Sequence, residues 1–182
     1  GFVVGAAERG TLLPRHDAMA PGDALIGLAS SGPHSNGYSL IRRIIEQAGL
    51  DYDAPAPFAP DAALADALLT PTRIYVRALL PLIREGAILG LAHITGGGIT
   101  ENTPRMLPGH LSFEIDYARF ERPAVFDWLQ KAGGVEEAEM RRTFNCGIGM
   151  ICAVKASEAD AVAARLNESG EQAFILGELK AV

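Results

Sequence analysis

Cysteine is scarce in this chain of 182 residues: only Cys146 and Cys152 occur. That excludes a disulfide framework of the kind that staples small secreted domains. If the two shared a strand they would lie on one face about 20 Å apart at ~3.3 Å per residue, out of reach of an S–S bond. No C-x-x-C pair and no histidine cluster accompanies them, so no metal site is expected, and reduced thiols imply a cytoplasmic protein. Long hydrophobic runs are missing too. The stretch from Ala24 to Ile41 has no Asp, Glu, Lys or Arg, but Gly, Pro, Ser, His and Asn break it, so no membrane partner is expected. Nor is there a basic excess: 16 Lys and Arg stand against 22 Asp and Glu, a formal charge of −6, which argues against a nucleic-acid partner. An anionic ligand would be held by local donors rather than by the global field.

What is present reads as one well-cored domain over residues 1–182. Gly1 to Ala7 has strand character. Thr11 to Gly22 reads as a loop, and Ala24 to Ala29 (ALIGLA) as a short apolar strand. Tyr38 to Ala48 carries a helical stripe at Leu40, Ile41, Ile44 and Ile45 and stops at Gly49. Asp51 to Pro60 reads as an irregular excursion, and Asp61 to Leu69 as a short helix. Thr70-Pro71 supplies an N-cap and a first-turn proline for a helix reaching Glu85, with Ile74, Ala78 and Leu82 inward and a kink at Pro81. Ile88 to Ile94, Leu111 to Ile115, Ile148 to Val154 and Ala173 to Leu179 read as strands. Pro123 to Lys131 and Glu136 to Arg141 read as helices, with Trp128 in the core. Ser157-x-x-Asp160 reads as a capping box opening a last helix to Gly170. Strands and helices intermingle without a strict βαβ repeat, which predicts an α+β (mixed α/β) fold, a mixed β-sheet layered with helices.

The segment LAHITGGGITENTPRMLP, Leu91 to Pro108, is the most informative. An apolar strand ends in His93 and Thr95, and Gly96, Gly97 and Gly98 follow before a helical run with Glu101, Asn102 and Arg105. Consecutive glycines cost backbone entropy, and they are useful where N–H groups must converge on an anion without side chains in the way. A phosphate would fit there, with Arg105 adding a charge-assisted contact. A flexible turn between strand and helix is the plainer alternative. The run Gly32 to Ser39 (GPHSNGYS) has the spacing of a G-x-x-x-x-G-K-[ST] phosphate loop, but Tyr38 stands where the lysine is required, so that assignment fails. Its His34, Ser35 and Asn36 still form a loop dense in donors and acceptors at a strand's carboxyl end, where sites tend to sit. Ser35 or Asn36 could equally be a helix N-cap. His34 and His93 are candidates for direct chemistry, each weighed against a structural role. Asn145 and Cys146, in TFNCGIG, are peripheral candidates, since nothing local would activate the thiol.

These segments, in this order, resemble one family. SSGPHSNGYSLIRRI, LLTPTRIYV, AHITGGGITENTPRMLP and EMRRTFNCGIGM look like the carboxyl-terminal domain of phosphoribosylformylglycinamidine cyclo-ligase, also called aminoimidazole ribonucleotide synthetase. The resemblance runs from Gly1 nearly to the end of the chain. The family sits in a wider group of two-domain, ATP-using enzymes that includes formylglycinamide ribonucleotide amidotransferase, selenophosphate synthetase, thiamine-monophosphate kinase and a hydrogenase-maturation protein.

The resemblance implies conversion of formylglycinamidine ribonucleotide and ATP, with Mg2+, to aminoimidazole ribonucleotide, ADP and phosphate in purine biosynthesis. It also implies that an amino-terminal domain, which binds ATP and forms a homodimer, is absent from this chain. The 182 residues are then the carboxyl-terminal half of a two-domain enzyme and are not expected to turn over alone. Within them, Thr95, Gly96, Gly97 and Gly98 would hold a phosphate, and Arg105 would assist or stay structural. His34, Ser35 and Asn36 would line the cleft facing the absent domain, and His93 would be a proton-transfer or positioning group.

Overall fold

The computed structural model describes residues 1–182. The uncharged run ALIGLA becomes the central strand β1 (Ala24–Ala29) of a five-stranded sheet. The other elements, in chain order, are α1 (Tyr38–Gln47), β2 (Pro55–Ala56), β3 (Ala59–Ala63), α2 (Leu64–Leu68), α3 (Val76–Glu85), β4 (Gly90–His93), α4 (Gly98–Asn102), β5 (Leu111–Ile115), α5 (Ala124–Gly133), α6 (Glu137–Thr143), β6 (Ile148–Val154), α7 (Ala159–Glu168) and β7 (Ala173–Ala181). The sheet order is β4-β6-β1-β7-β5, and β2 and β3 form a separate hairpin. The layered α+β class holds, and every ladder proves antiparallel, so the mixture of strand senses expected of the sheet is absent. No helix is long and apolar enough to cross a membrane.

Side-chain alternation along β1 sorts the core into two faces. Ala24, Ile26 and Leu28 pack with Ala78, Leu79 and Leu82 of α3 and Val162 and Leu166 of α7. Leu25 points the other way, among Ile151, Leu176, Ile99 and Met106. A third cluster joins α1, α5 and α6 through Ile41, Ile44, Phe126, Leu129, Met140 and Phe144. Arg122 fastens α5 to α6, reaching Asp127 at 2.6 Å and Glu137 at 2.9 Å.

Sheet direction fixes where loops gather. Both β1 and β4 run antiparallel to β6 and flank it, so their carboxyl ends lie at the same end of the sheet, where β6 begins. Ala29 pairs with Ile148 and His93 with Met150. Three segments therefore meet there: the loop after β1, the glycine turn after β4, and residues 143–147 leading into β6.

Several local expectations give way to tertiary contacts. Gly1 to Ala7 forms no strand and is exposed; Phe2 is 91% accessible. Thr70-Pro71 does not open a helix. Residues 70–75 stay non-helical, Thr70 donates back to the Ala67 carbonyl, and α3 starts at Val76, which leaves Ile74 on the surface. Pro81 lies within α3. Residues 59–63 pair as a strand, which shortens α2 to Leu64–Leu68. The Ser157 capping box does not form: Ser157 sits in a 3-10 turn and α7 begins without a side-chain cap. Neither Ser35 nor Asn36 caps α1; Gly37 takes that place at φ +78°, where a Cβ would come within 2.2 Å of the Phe144 ring. Trp128 is half-buried against Phe58 rather than central.

Candidate functional site

The glycine turn is held from three sides. Gly96 N–H donates to Asn36 Oδ1 at 3.0 Å, Gly97 N–H to the Arg142 carbonyl at 2.9 Å, and Gly98 N–H to the Thr95 carbonyl at 3.0 Å. The three glycine amides thus have acceptors within the chain, and they do not converge on one open anion position. The glycines supply room instead. A Cβ on Gly98, at φ +59°, would lie 1.7 Å from the Arg141 carbonyl oxygen, and one on Gly97, at φ +96°, 2.6 Å from a Glu101 carboxylate oxygen. Buried Asn102 staples the turn from inside: its amide donates to the carbonyls of Gly98 (2.8 Å), Gly96 (3.2 Å) and Thr95 (3.4 Å), and its oxygen lies 3.3 Å from Thr95 Oγ1. A buried amide with its donors and acceptor filled fixes local geometry.

The Asn36–Gly96 bond joins the turn to the loop after β1. Asn145 shapes that loop from below, accepting from Ser30 Oγ (3.0 Å) and Gly147 N–H (2.8 Å) and donating to the Gly32 carbonyl (2.9 Å). His34 stands in the left-handed region at φ +57° and is 4% exposed. Its Nε2 accepts from the N–H of Ser31 at 3.1 Å and of Arg73 at 3.5 Å, and its Nδ1 is buried without a partner. Burial, with His93 beside it, pulls the His34 pKa down to about 4. His93 is exposed at the end of β4, its ring centroid 6.4 Å from that of His34.

Residues 70–75 complete the wall. Ser31 Oγ donates to the Pro71 carbonyl, and Ser35 Oγ lies 3.3 Å from Thr72 Oγ1. The Arg73 guanidinium reaches Glu171 and the Gly170 carbonyl, both at 2.6 Å. Buried Tyr75 donates to the Ala29 carbonyl at 2.9 Å, and burial raises its pKa. Gly149 makes room for both aromatic groups: a Cβ there would lie 2.0 Å from Tyr75 Oη and 2.6 Å from His34 Cε1. Arg73, Tyr75 and His93 line an apolar cavity of about 310 Å³ with Leu91 and Met150. Thr100, Arg141 and Arg142 line a second of about 480 Å³ with Glu101 and Glu137.

Of the residues singled out from sequence, His34, Ser35, Asn36, His93, Thr95 and Gly96 to Gly98 therefore gather at one end of the sheet, with Asn145 beneath. Arg105 stands apart: it is exposed on the 3-10 turn after α4, and its side chain makes no hydrogen bond or ion pair. Cys146 does not share a strand with Cys152, since it precedes β6; both are buried free thiols. Burial raises the Cys146 thiol to about 11, and Sγ donates to the Met140 carbonyl, so it is neither activated nor accessible. Sequence reasoning missed Asn102, Arg73, Tyr75 and Gly149 as parts of the site. A glycine inside the apolar strand IGMICAV was the available signal for Gly149, because such glycines mark close approach.

No group of three or more His, Cys, Asp or Glu side chains is placed to hold a metal ion. The residues present do not fit a metal centre, and no step is assigned to one.

A family model described as AIR synthase related protein, C-terminal domain, matches residues 20–182. Among solved structures, thiamine-monophosphate kinase from Stenotrophomonas maltophilia K279a superposes with a TM-score of 0.67 at 15% identity, over 97% of this chain and 52% of that one. T. maritima PurL complexed with AMPPCP gives 0.52 at 14% identity, over 95% and 24%. E. coli HypE, a hydrogenase maturation protein, gives 0.54 at 18% identity, over 91% and 46%. The chain thus spans between about a quarter and a half of the structures it matches.

Proposed function

The chain belongs to the AIR synthase related protein family, as its C-terminal domain, and on that premise we propose that it is the carboxyl-terminal half of an ATP-dependent phosphoribosylformylglycinamidine cyclo-ligase. The observation that carries the reading is the Asn36–Gly96 bond. It joins the two segments richest in candidate ligand groups at one end of the sheet. Long motifs, GPHSNGYSL, TRIYV and RTFNCGIGM, favour the cyclo-ligase over its relatives.

In this reading formylglycinamidine ribonucleotide lies against the glycine turn with its phosphate toward Thr95 and Gly96; the phosphate takes the Gly96 N–H in place of Asn36 Oδ1, and the freed Asn36 amide turns to the substrate. Gly97 and Gly98 let the ligand and the Arg141–Phe144 backbone approach closely. Arg141, paired with Glu137 at 2.7 Å, and Arg142 line the cavity beside Thr100 and Glu101, and take the counter-charge role in place of Arg105. ATP and its Mg2+ are held by an amino-terminal domain of the same enzyme, which also forms the homodimer. Activation of the formyl oxygen by phosphoryl transfer and closure of the ring by an amidine nitrogen then rely on positioning and charge stabilisation.

The test is ADP release dependent on formylglycinamidine ribonucleotide by the two-domain enzyme that carries this chain, with Asn36→Ala and Gly97→Val beside it. Release that requires this substrate and falls at least about tenfold in both variants, with circular dichroism unchanged, supports the reading; tenfold corresponds to about 1.4 kcal/mol of transition-state stabilisation. A folded enzyme that binds ATP and releases no ADP with this substrate rejects it.

A further inference from the structure

His34 is buried in the wall of the cleft, and its two nitrogens are used unequally. Backbone amides only donate, so Nε2, facing the N–H groups of Ser31 and Arg73, must present its lone pair. The single proton of the neutral ring is therefore on Nδ1. Charging the ring would place a second proton against two donors in a position 4% exposed. No anion faces the ring to compensate. Its aromatic neighbours are Tyr75 and His93, each with a ring centroid 6.4 Å away, and the nearby Arg73 guanidinium is turned to Glu171. The depressed pKa agrees with this geometry. His93 differs in each respect: it is exposed, its side chain has no hydrogen-bond partner in the chain, and it lines the cavity beside Arg73 and Tyr75.

We propose that the two histidines divide the work of the cleft. His34, locked as the neutral Nδ1-protonated tautomer, is a positioning residue that clamps the loop after β1 to residues 70–75. His93 is the histidine that meets the ligand. The clamp stands independently of the phosphate reading; the assignment of His93 rests on it.

The experiment uses the 182-residue chain labelled with ¹⁵N. Nitrogen spectra of His34 should show an unprotonated Nε2 and a protonated Nδ1, unchanged from pH 8 to pH 5. Amide exchange at Ser31 and Arg73 should quicken about tenfold in His34→Phe, the loss of roughly one hydrogen bond. In His34→Gln it should stay near the wild-type rate, because the amide oxygen can accept in place of Nε2. Both variants meet the same left-handed backbone, so their difference isolates the acceptor. Diethyl pyrocarbonate should modify His93 and spare His34. Inorganic phosphate should move the His93 ring signals and leave the His34 tautomer in place. A protonated Nε2, or equal exchange in the two variants, overturns the clamp. Phosphate that perturbs His34 and not His93 overturns the division. Phosphate that moves neither ring, nor the Thr95 and Gly96 amides, overturns the assignment of His93 and the phosphate reading together while leaving the clamp intact.

Discussion

Burial of His34 ties the stability of the cleft to pH in one direction. The ordinary value of 6.5 falls to about 4 in the folded chain, so between those values the unfolded chain binds a proton that the folded one does not. Stability is complete above pH 6.5, falls as the pH drops toward 4, and is flat again below. The full loss is as much as roughly 3 kcal/mol, at about 1.4 kcal/mol for each tenfold change in proton affinity. Urea unfolding at pH 7 and pH 4.5 checks this against His34→Gln, which cannot titrate there. The wild type should lose about 2 kcal/mol more than the variant over that interval, and equal losses would refute the buried neutral ring. Asn145 and Cys146 belong to the same scale with other roles. Asn145 uses its amide oxygen and nitrogen to hold Ser30, Gly32 and Gly147, and Cys146 keeps its proton. Both build the cleft from beneath rather than line it.

The turn between β4 and α4 separates two glycines that look alike in sequence. At Gly98 an added Cβ meets backbone, the Arg141 carbonyl at 1.7 Å, and backbone cannot swing aside. At Gly97 the obstacle is the Glu101 side chain: its carboxylate, at 2.6 Å, can move, and its Cβ, at 2.8 Å, shifts only with the short helix α4. Both pay the left-handed cost of about 1–2 kcal/mol, so Gly97→Ala should destabilise by at least about that much and Gly98→Ala by more than about 3 kcal/mol, or displace α6. Thermal unfolding of the two variants checks the order, and a Gly98→Ala protein as stable as Gly97→Ala would contradict the packing. The glycines were legible as a special turn; which one touches backbone was not, because Arg141 lies more than forty residues away. The same division runs through the other elements. β1, β5, β6 and β7 follow the apolar runs, and α1 and α5 follow their stripes, because burial pattern alone specifies them. Residues 70–75 defied the N-cap and proline signals because Ser31, His34 and Glu171 capture that segment from other parts of the chain. In the site, clustered loop residues were readable, whereas Asn36 on Gly96 and Tyr75 over Gly149 depend on the sheet bringing β1, β4 and β6 together.

Across the molecule, contact density divides the chain near residue 13. Residues beyond it are tied in at once: Arg15 N–H donates to the Leu89 carbonyl, and partly buried Leu13 packs against the α3 and α7 face of the core. Before it, Phe2, Val3, Val4 and Leu12 are exposed, and a Cβ on Gly1, Gly5 or Gly10 would meet nothing within 4 Å. The only bonds there are local, from Thr11 back to Glu8. A segment that buries nothing contributes no hydrophobic free energy, however apolar its composition. Trypsin should therefore cut first after Arg9, and the product should unfold in urea within about 0.5 kcal/mol of the intact chain, the range of a change that touches no packed feature. Cleavage that begins elsewhere, or a trimmed product destabilised by more than about 1 kcal/mol, would show that FVVGAA packs onto the sheet in solution. β4 is the edge strand of the sheet, and exposed Ile74 and Val76 line one cavity with its Leu91 and His93, which is where such packing would be seen first.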